Sequence, residues 1–255
     1  MGIDKDDMQE LMYRTLLHLT KSKYTIVFKG SLLLSTLMEQ VNIVTPSRLS
    51  RDVDGDLQDF ASLDEILSEI TTVLHAEGYS YAALKIDPRT TNEQYHIGIY
   101  DTDDQFMFGV DLGIKLNPWH TTYKLSDGTV FFGQTIAKIF WDKACVVSSN
   151  EVEVRSWDLF DMYLLSLRND LRMSEILTVK EGTQRPLGDW SILKYPTEAL
   201  KSSWRKRRYI RNRPVFEDMC ARVRDLCTPF MIQGSAAFAM WDPNEGLWYD
   251  GETSF

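Results

Sequence analysis

The sequence predicts an α+β chain: a mixed β-sheet flanked by helices, followed by a mainly helical C-terminal part. Three observations carry that expectation. Short apolar runs alternate with amphipathic helical patterns over the first 116 residues. Asn117-Pro118-Trp119 then marks a change of composition. Beyond Asp127-Gly128 the pattern is mostly helical. The expected division is a sheet-bearing core over 1–116 and a mainly helical domain over 117–255.

Each element has its own signal. Residues 7–20 carry Met8, Leu11, Met12, Leu16 and Leu17 at helical spacing. Tyr24 to Phe28 is a short apolar strand. Leu32 to Val41 is apolar on most sides and predicts a buried helix, broken at Thr45-Pro46-Ser47. Arg51 to Leu57 reads as a strand. Ser62 and Glu65 form a capping box, and Leu63, Ile66, Leu67, Ile70, Val73 and Leu74 turn inward behind it. Three further strands are expected over 79–86, 95–100 and 106–115, the last two joined by a turn at Asp101 to Asp104. Helices are expected over 134–147, 155–167 and 215–231. The tail, WDPNEGLWYDGETSF, reads as turn-rich with exposed aromatics and suits a docking segment.

Composition narrows the class. The chain has 255 residues, 44% of them hydrophobic, ample for a buried core. No apolar run approaches the roughly 20 residues that span a membrane. The N-terminus is acidic, without a signal-peptide pattern, and Asp6 stands where a myristoylation signal needs Ser or Thr. Cys145, Cys220 and Cys227 have no metal-ligand spacing and suit buried thiols in the cytoplasm. The net charge of −9 argues against a surface that binds nucleic acid throughout.

The chain is organised around Lys29 to Leu57. Gly30-Ser31 follows an apolar strand and opens a helix. A glycine lets a phosphate approach the backbone, and helix N-terminal N–H groups attract anions. Asp52, Asp54 and Asp56 alternate. On a strand, Asp52 and Asp54 share one face, and paired carboxylates are what Mg²⁺ takes while keeping room for water and phosphates. Asp111 is a lone acid within an apolar strand, a costly placement unless something pairs with it. Lys138 and Asp142 share a helix face, and Asp158 and Asp161 follow on the next helix.

These residues together resemble the nucleotidyltransferases of the DNA polymerase β superfamily and, within it, the AbiEii-type abortive-infection toxin family. The family pattern is a strand, a Gly-Gly or Gly-Ser step, a helix, then Arg-hydrophobic-Ser-x-Asp-hydrophobic-Asp. Here it stands as Gly30-Ser31, then Arg48-Leu49-Ser50-Arg51-Asp52-Val53-Asp54. The family's two later motifs match Lys138…Asp142 and Asp158…Asp161, with Trp157 where a basic residue is common. The resemblance spans about residues 24 to 168.

The resemblance implies a nucleotidyltransferase core that moves an NMP from a nucleoside triphosphate to an acceptor hydroxyl, using Mg²⁺ or Mn²⁺. Asp52, Asp54, Lys138 and Asp161 would be catalytic. Gly30, Ser31, Lys138 and Asp158 would bind the nucleotide. Asp52 and Asp54 would hold metal, with a third carboxylate from a neighbouring strand: Asp111, or its rival Asp87, which precedes Pro88. Asp161 would position the acceptor or hold Lys138 in place. The biology implied is the toxin of a toxin–antitoxin pair, with a cognate antitoxin and tRNA as one acceptor class.

Residues 201–213, KSSWRKRRYIRNR, form a basic run on an acidic chain. One reading gives Arg205, Arg207, Arg208 and Arg211 to nucleic-acid phosphates, with Trp204 and Tyr209 stacking on bases. The other is a solvated, self-paired helix face. A calcium loop starting at Asp52 fails, because its sixth and twelfth positions hold Leu57 and Leu63. A serine hydrolase elbow and a P-loop are both missing from the sequence. A catalytically silent nucleotide- or RNA-binding relative is the alternative class.

Overall fold

In this computed structural model, residues 5–40, 50–125, 128–149, 156–207, 210, 212–232 and 237–250 are described. The chain divides into two compact units between Gln134 and Thr135.

The first unit is built on a seven-stranded mixed sheet. Helix α1 (Lys5–Thr20) leads into β1 (Ile26–Lys29) and directly into α2 (Gly30–Gln40). Strand β2 (Asp52–Leu57), helix α3 (Leu63–Ala76) and strands β3 (Ala83–Ile86), β4 (Gln94–Tyr100) and β5 (Phe106–Ile114) follow. β6 (His120–Lys124) and β7 (Val130–Gln134) complete the sheet, in the order β3-β4-β5-β2-β1-β7-β6. β2 lies antiparallel to β1 and parallel to β5, so the Asp52 strand has a neighbour on both sides.

Local chemistry explains these elements. Both halves of the α3 capping box are made: the Glu65 N–H donates to Ser62 Oγ at 3.3 Å, and the Ser62 N–H donates to Glu65 Oε2 at 3.0 Å. Such a cap contributes about 1 kcal/mol. Leu32, Leu33, Leu34, Leu37 and Met38 of α2 are all buried, as its apolar sequence requires. The turn after β4 is tied by Asp101 Oδ1, which accepts from the N–H groups of Asp103 and Gln105.

The second unit is mainly helical: α4 (Ile136–Ser148), α5 (Ser156–Ser166), α6 (Met173–Thr183), α7 (Ser191–Lys194), α8 (Glu198–Arg205) and α9 (Phe216–Met231). Its core holds Phe140, Trp141, Phe160, Leu165 and Leu226. A two-stranded hairpin, β8 (Ala239–Asp242) and β9 (Leu247–Asp250), ends the described chain.

Two expectations change here. The sheet continues past residue 117, since β7 pairs parallel with β1 and carries β6 on its far side. β6 has no buried residue, so its sequence shows no apolar alternation to reveal a strand. The tail is a packed hairpin: Trp241 is buried, its Nε1–H donates to the Ser166 carbonyl at 2.8 Å, and Trp248 donates to the Leu226 carbonyl at 2.9 Å. These two tryptophans anchor the hairpin. The breaker at residues 45–47 lies outside the described residues.

All three cysteines are free and buried. Burial pushes the Cys145 and Cys220 thiols up to about 11 each, and Cys227 is raised by the same cause. These thiols hold their protons more tightly folded than unfolded, so stability falls as pH rises from about 9 towards 11. A thiol-reactive disulfide reagent at pH 8 should label none of the three in native protein and all three in denaturant. Rapid native labelling would contradict their burial.

Candidate active site

The site in the sheet unit begins at the β1–α2 junction. Gly30 has φ +75°, a left-handed conformation that side chains disfavour. A β-carbon there would also collide with the Asp54 carboxylate. Glycine is therefore required twice, and the start of α2 stands directly against Asp54. Lys29 and Asp54 are register partners across the β1–β2 pair. Ser31 Oγ lies 3.0 Å from Ser50 Oγ, which donates to the Asp52 carbonyl at 3.1 Å. Because the Ser50 proton goes to that carbonyl, Ser31 is the donor between the two hydroxyls. Its hydroxyl ties the helix start to the carboxylate strand.

Side chains two apart on β2 share a face, so Asp52, Asp54 and Asp56 stand in a row. The next strand adds to that row. Asp111 is the direct register partner of Asp54, and Gly109 is the partner of Asp52. Asp52 leans across Gly109, where a β-carbon would sit 2.5 Å from its Oδ1. Asp52, Asp54 and Asp111 thus share one face of the sheet, with Gly30 against Asp54.

The third acid of β2 has a different role. Asp56 is 1% exposed, and its Oδ1 lies 2.5 Å from Lys29 Nζ. Asn117 donates to its Oδ2 at 2.8 Å, and Lys115 Nζ stands 3.7 Å from Oδ1. It is a neutralised structural acid that pins β1 to β2.

The neighbouring strands separate Asp111 from its rival. Asp87 is held by Arg89 through Nε at 2.9 Å and Nη2 at 3.0 Å. Those contacts draw its carboxyl down to about 2. Asp87 is committed to this pair, whereas Asp111 stands beside Asp54. Arg89 is in turn raised above its ordinary value, first by Asp87 and further by the fields of Asp111 and Asp52. Asp111 Oδ1 lies 2.9 Å from His96 Nδ1, a contact absent from the sequence expectations.

Carboxylate oxygens with glycine as a neighbour suit a hard cation that keeps water and phosphate among its ligands. Among the described residues no group of three or more His, Cys, Asp or Glu side chains is already gathered as a metal cage. Two aspartates on one strand, completed by substrate oxygens, are the arrangement that fits Mg²⁺ or Mn²⁺ here.

The helical unit has its own charged cluster. Lys138 Nζ binds both oxygens of Asp142 at 2.5 Å, the expected i, i+4 pair. Arg185 approaches the same carboxylate at 3.9 Å. Asp158 and Asp161 do not hold Lys138. They hold Lys143, at 2.8 Å and 2.7 Å. Burial lowers the Lys143 ammonium, and Asp161 and Asp158 more than offset it, leaving it raised. Asp161 is fully buried. Lys143 was missed because it sits one residue beyond the matched Lys138…Asp142 spacing and pairs across helices.

The basic run is partly structural. Trp204 is buried against Phe160, with ring centroids 5.5 Å apart, so it cannot stack on a base. The Arg207 guanidinium lies 4.5 Å from the Trp157 ring centroid. Arg213 Nη1 donates to the carbonyls of Trp204, Arg205 and Arg207. Arg205 is exposed. Arg208, Tyr209 and Arg211 lie outside the described residues, as do Arg48 and Leu49 of the first motif.

No family model and no curated protein matches the chain in sequence. Solved structures do match it. A candidate nucleotidyltransferase from Helicobacter pylori superimposes with TM-score 0.58 at 13% identity, over 91% of this chain and 96% of its own. JHP933 from Helicobacter pylori gives TM-score 0.59 at 13% identity, covering 91% of this chain and 93% of its own. MenT4, a nucleotidyltransferase toxin from Mycobacterium tuberculosis, gives 0.52 at 15% identity, covering 96% of this chain and 93% of its own. At these identities the likeness defines the fold: this chain has the mixed-sheet fold of nucleotidyltransferases. No helix among the described residues is long and apolar enough to cross a membrane.

The acids of β2 should separate by substitution. Asp56→Ala strands the Lys29 charge and should cost about 3–5 kcal/mol in denaturant unfolding. Gly30→Ala should cost roughly 1–3 kcal/mol from its backbone conformation alone. An Asp56→Ala protein as stable as wild type would remove the structural role assigned to that acid.

Proposed function

We propose that this protein is a metal-dependent nucleotidyltransferase that moves an NMP from a nucleoside triphosphate to an acceptor hydroxyl. The observation that carries the reading is Asp54, which has Asp111 as its register partner and Gly30 packed against its carboxylate. Acids and an anion-binding helix start converge there, as a metal–triphosphate complex needs. Asp52 and Asp54 would hold the ion, with Asp111 beside them. When bound, Mg²⁺ or Mn²⁺ lowers the pKa of an attacking hydroxyl and offsets charge on the departing pyrophosphate.

The protein's own residues bind and orient. The α2 N-terminus at Gly30 receives phosphate oxygens through backbone N–H groups, and Ser31 holds that turn to β2. Lys138 is assigned a phosphate contact as a point cation that exchanges Asp142 for the triphosphate. Asp158 and Asp161 fix Lys143 within the helical unit. RNA, with tRNA as the leading candidate, is the proposed acceptor class, and exposed Arg205 is a backbone contact of the kind such an acceptor needs. A toxin role, with a cognate antitoxin, is supported by the fold shared with MenT4. A cytoplasmic setting agrees with three free thiols.

The test is label transfer. Wild-type protein, each α-labelled NTP, Mg²⁺ and total RNA should yield labelled RNA. Asp54→Ala should reduce the label at least about 100-fold, the scale of losing a principal charge-stabilising group, while its thermal unfolding stays near wild type. Full transfer by that variant refutes the assignment. Nucleotide binding by wild type with no transfer to any acceptor would favour a catalytically silent binding protein.

A further inference from the structure

We propose that His96 is a positioning residue for Asp111: its imidazole holds one carboxylate oxygen and leaves the other to a cation beside Asp54. The proposal rests on the metal-site reading of Asp52 and Asp54. Asp111 is the middle member of a three-strand row, with Asp54 opposite it on β2 and His96 opposite it on β4. On the β4 side His96 Nδ1 is 2.9 Å from Asp111 Oδ1. The imidazole is the donor there, because an ionised carboxylate only accepts.

His96 is itself held in place. Its side chain is only 11% exposed. Its N–H donates to Thr90 Oγ1 at 3.0 Å, and its carbonyl accepts from the Asp87 N–H at 2.9 Å and from Thr90 Oγ1 at 3.1 Å. The backbone clamp and the burial leave the ring little freedom, so the Nδ1–H is a fixed donor. A carboxylate gripped at one oxygen cannot rotate freely, and the entropy of ordering it is already lost before a ligand arrives. The residue type matters as well. Imidazole is a planar ring whose Nδ1 sits close to the backbone, so its donor is placed by few rotatable bonds.

The prediction concerns metal affinity and is read without turnover. Mn²⁺ alone is titrated into the full chain, and free ion is followed by electron paramagnetic resonance. His96→Phe removes the donor and should raise the Mn²⁺ Kd roughly 10-fold or more, the scale for partners that orient metal ligands. His96→Asn keeps an N–H close to the Nδ1 position and should stay within about threefold of wild type. His96→Gln carries its amide one bond further out and should weaken binding as the Phe variant does, which keeps the comparison available if Phe disturbs folding. Metal-free unfolding curves of the Asn and Gln variants should coincide. Wild-type affinity in both the Phe and the Gln variants, or equal weakening in Asn and Gln, overturns the proposal. If Asp54→Ala loses Mn²⁺ while the His96 variants keep it, only the His96 assignment falls. If Asp54→Ala also binds as wild type, the metal site itself falls with it.

Discussion

Like charges set side by side on one sheet face are the constraint around which the first unit is arranged. In-register neighbours stand about 5 Å apart, and two carboxylates at that distance repel by on the order of 3 kcal/mol at an effective dielectric of about 20. The protein deals with the acids of this row in different ways. Asp56 is neutralised from within by Lys29 and capped by Asn117. Asp111 receives a hydrogen bond from His96, and Arg89 lends its field to Asp111 and Asp52. Asp52 and Asp54 face glycine on the neighbouring elements, Gly109 and Gly30, where any other residue would obstruct the carboxylates. A sheet that needed only stability would have no reason to gather these acids beside a helix N-terminus.

The helical unit solves a related problem in the opposite way. Lys143 is buried between Asp158 and Asp161, two acids for one base. Removing one partner of such a group leaves an uncompensated buried charge, so the cluster locks α4 against α5 more firmly than an exposed pair would. Lys138 pairs with Asp142 one turn along its own helix. The two lysines look alike in sequence and differ in whether their acids lie on the same helix or on the next.

Much of the candidate site was legible in the residues because its signals are local. A glycine after an apolar strand, acids two apart on the next, and a Ser-Glu cap at three residues each reflect a backbone period or a turn. Those periods reach only a few residues. β6 and the C-terminal hairpin escaped for the complementary reason. β6 is an edge strand without a buried residue, and the hairpin's alternation was masked by its turn residues. Trp204 was misread as a stacking platform because a basic run looks solvated from sequence, while one tryptophan within it faces Phe160.

By itself the sequence determined that Asp52 and Asp54 share a face, that Gly30 opens a helix, and that Lys138 meets Asp142. Each follows from a repeat of two or about four residues along one element. Only the tertiary structure decided that Asp111 rather than Asp87 stands next to Asp54, that Asp56 belongs to Lys29, that His96 grips Asp111, and that Asp161 serves Lys143. Those choices depend on which strands become neighbours and in what register, and on which helices pack together. Strand register is set by long-range pairing between segments tens of residues apart, which no local period encodes.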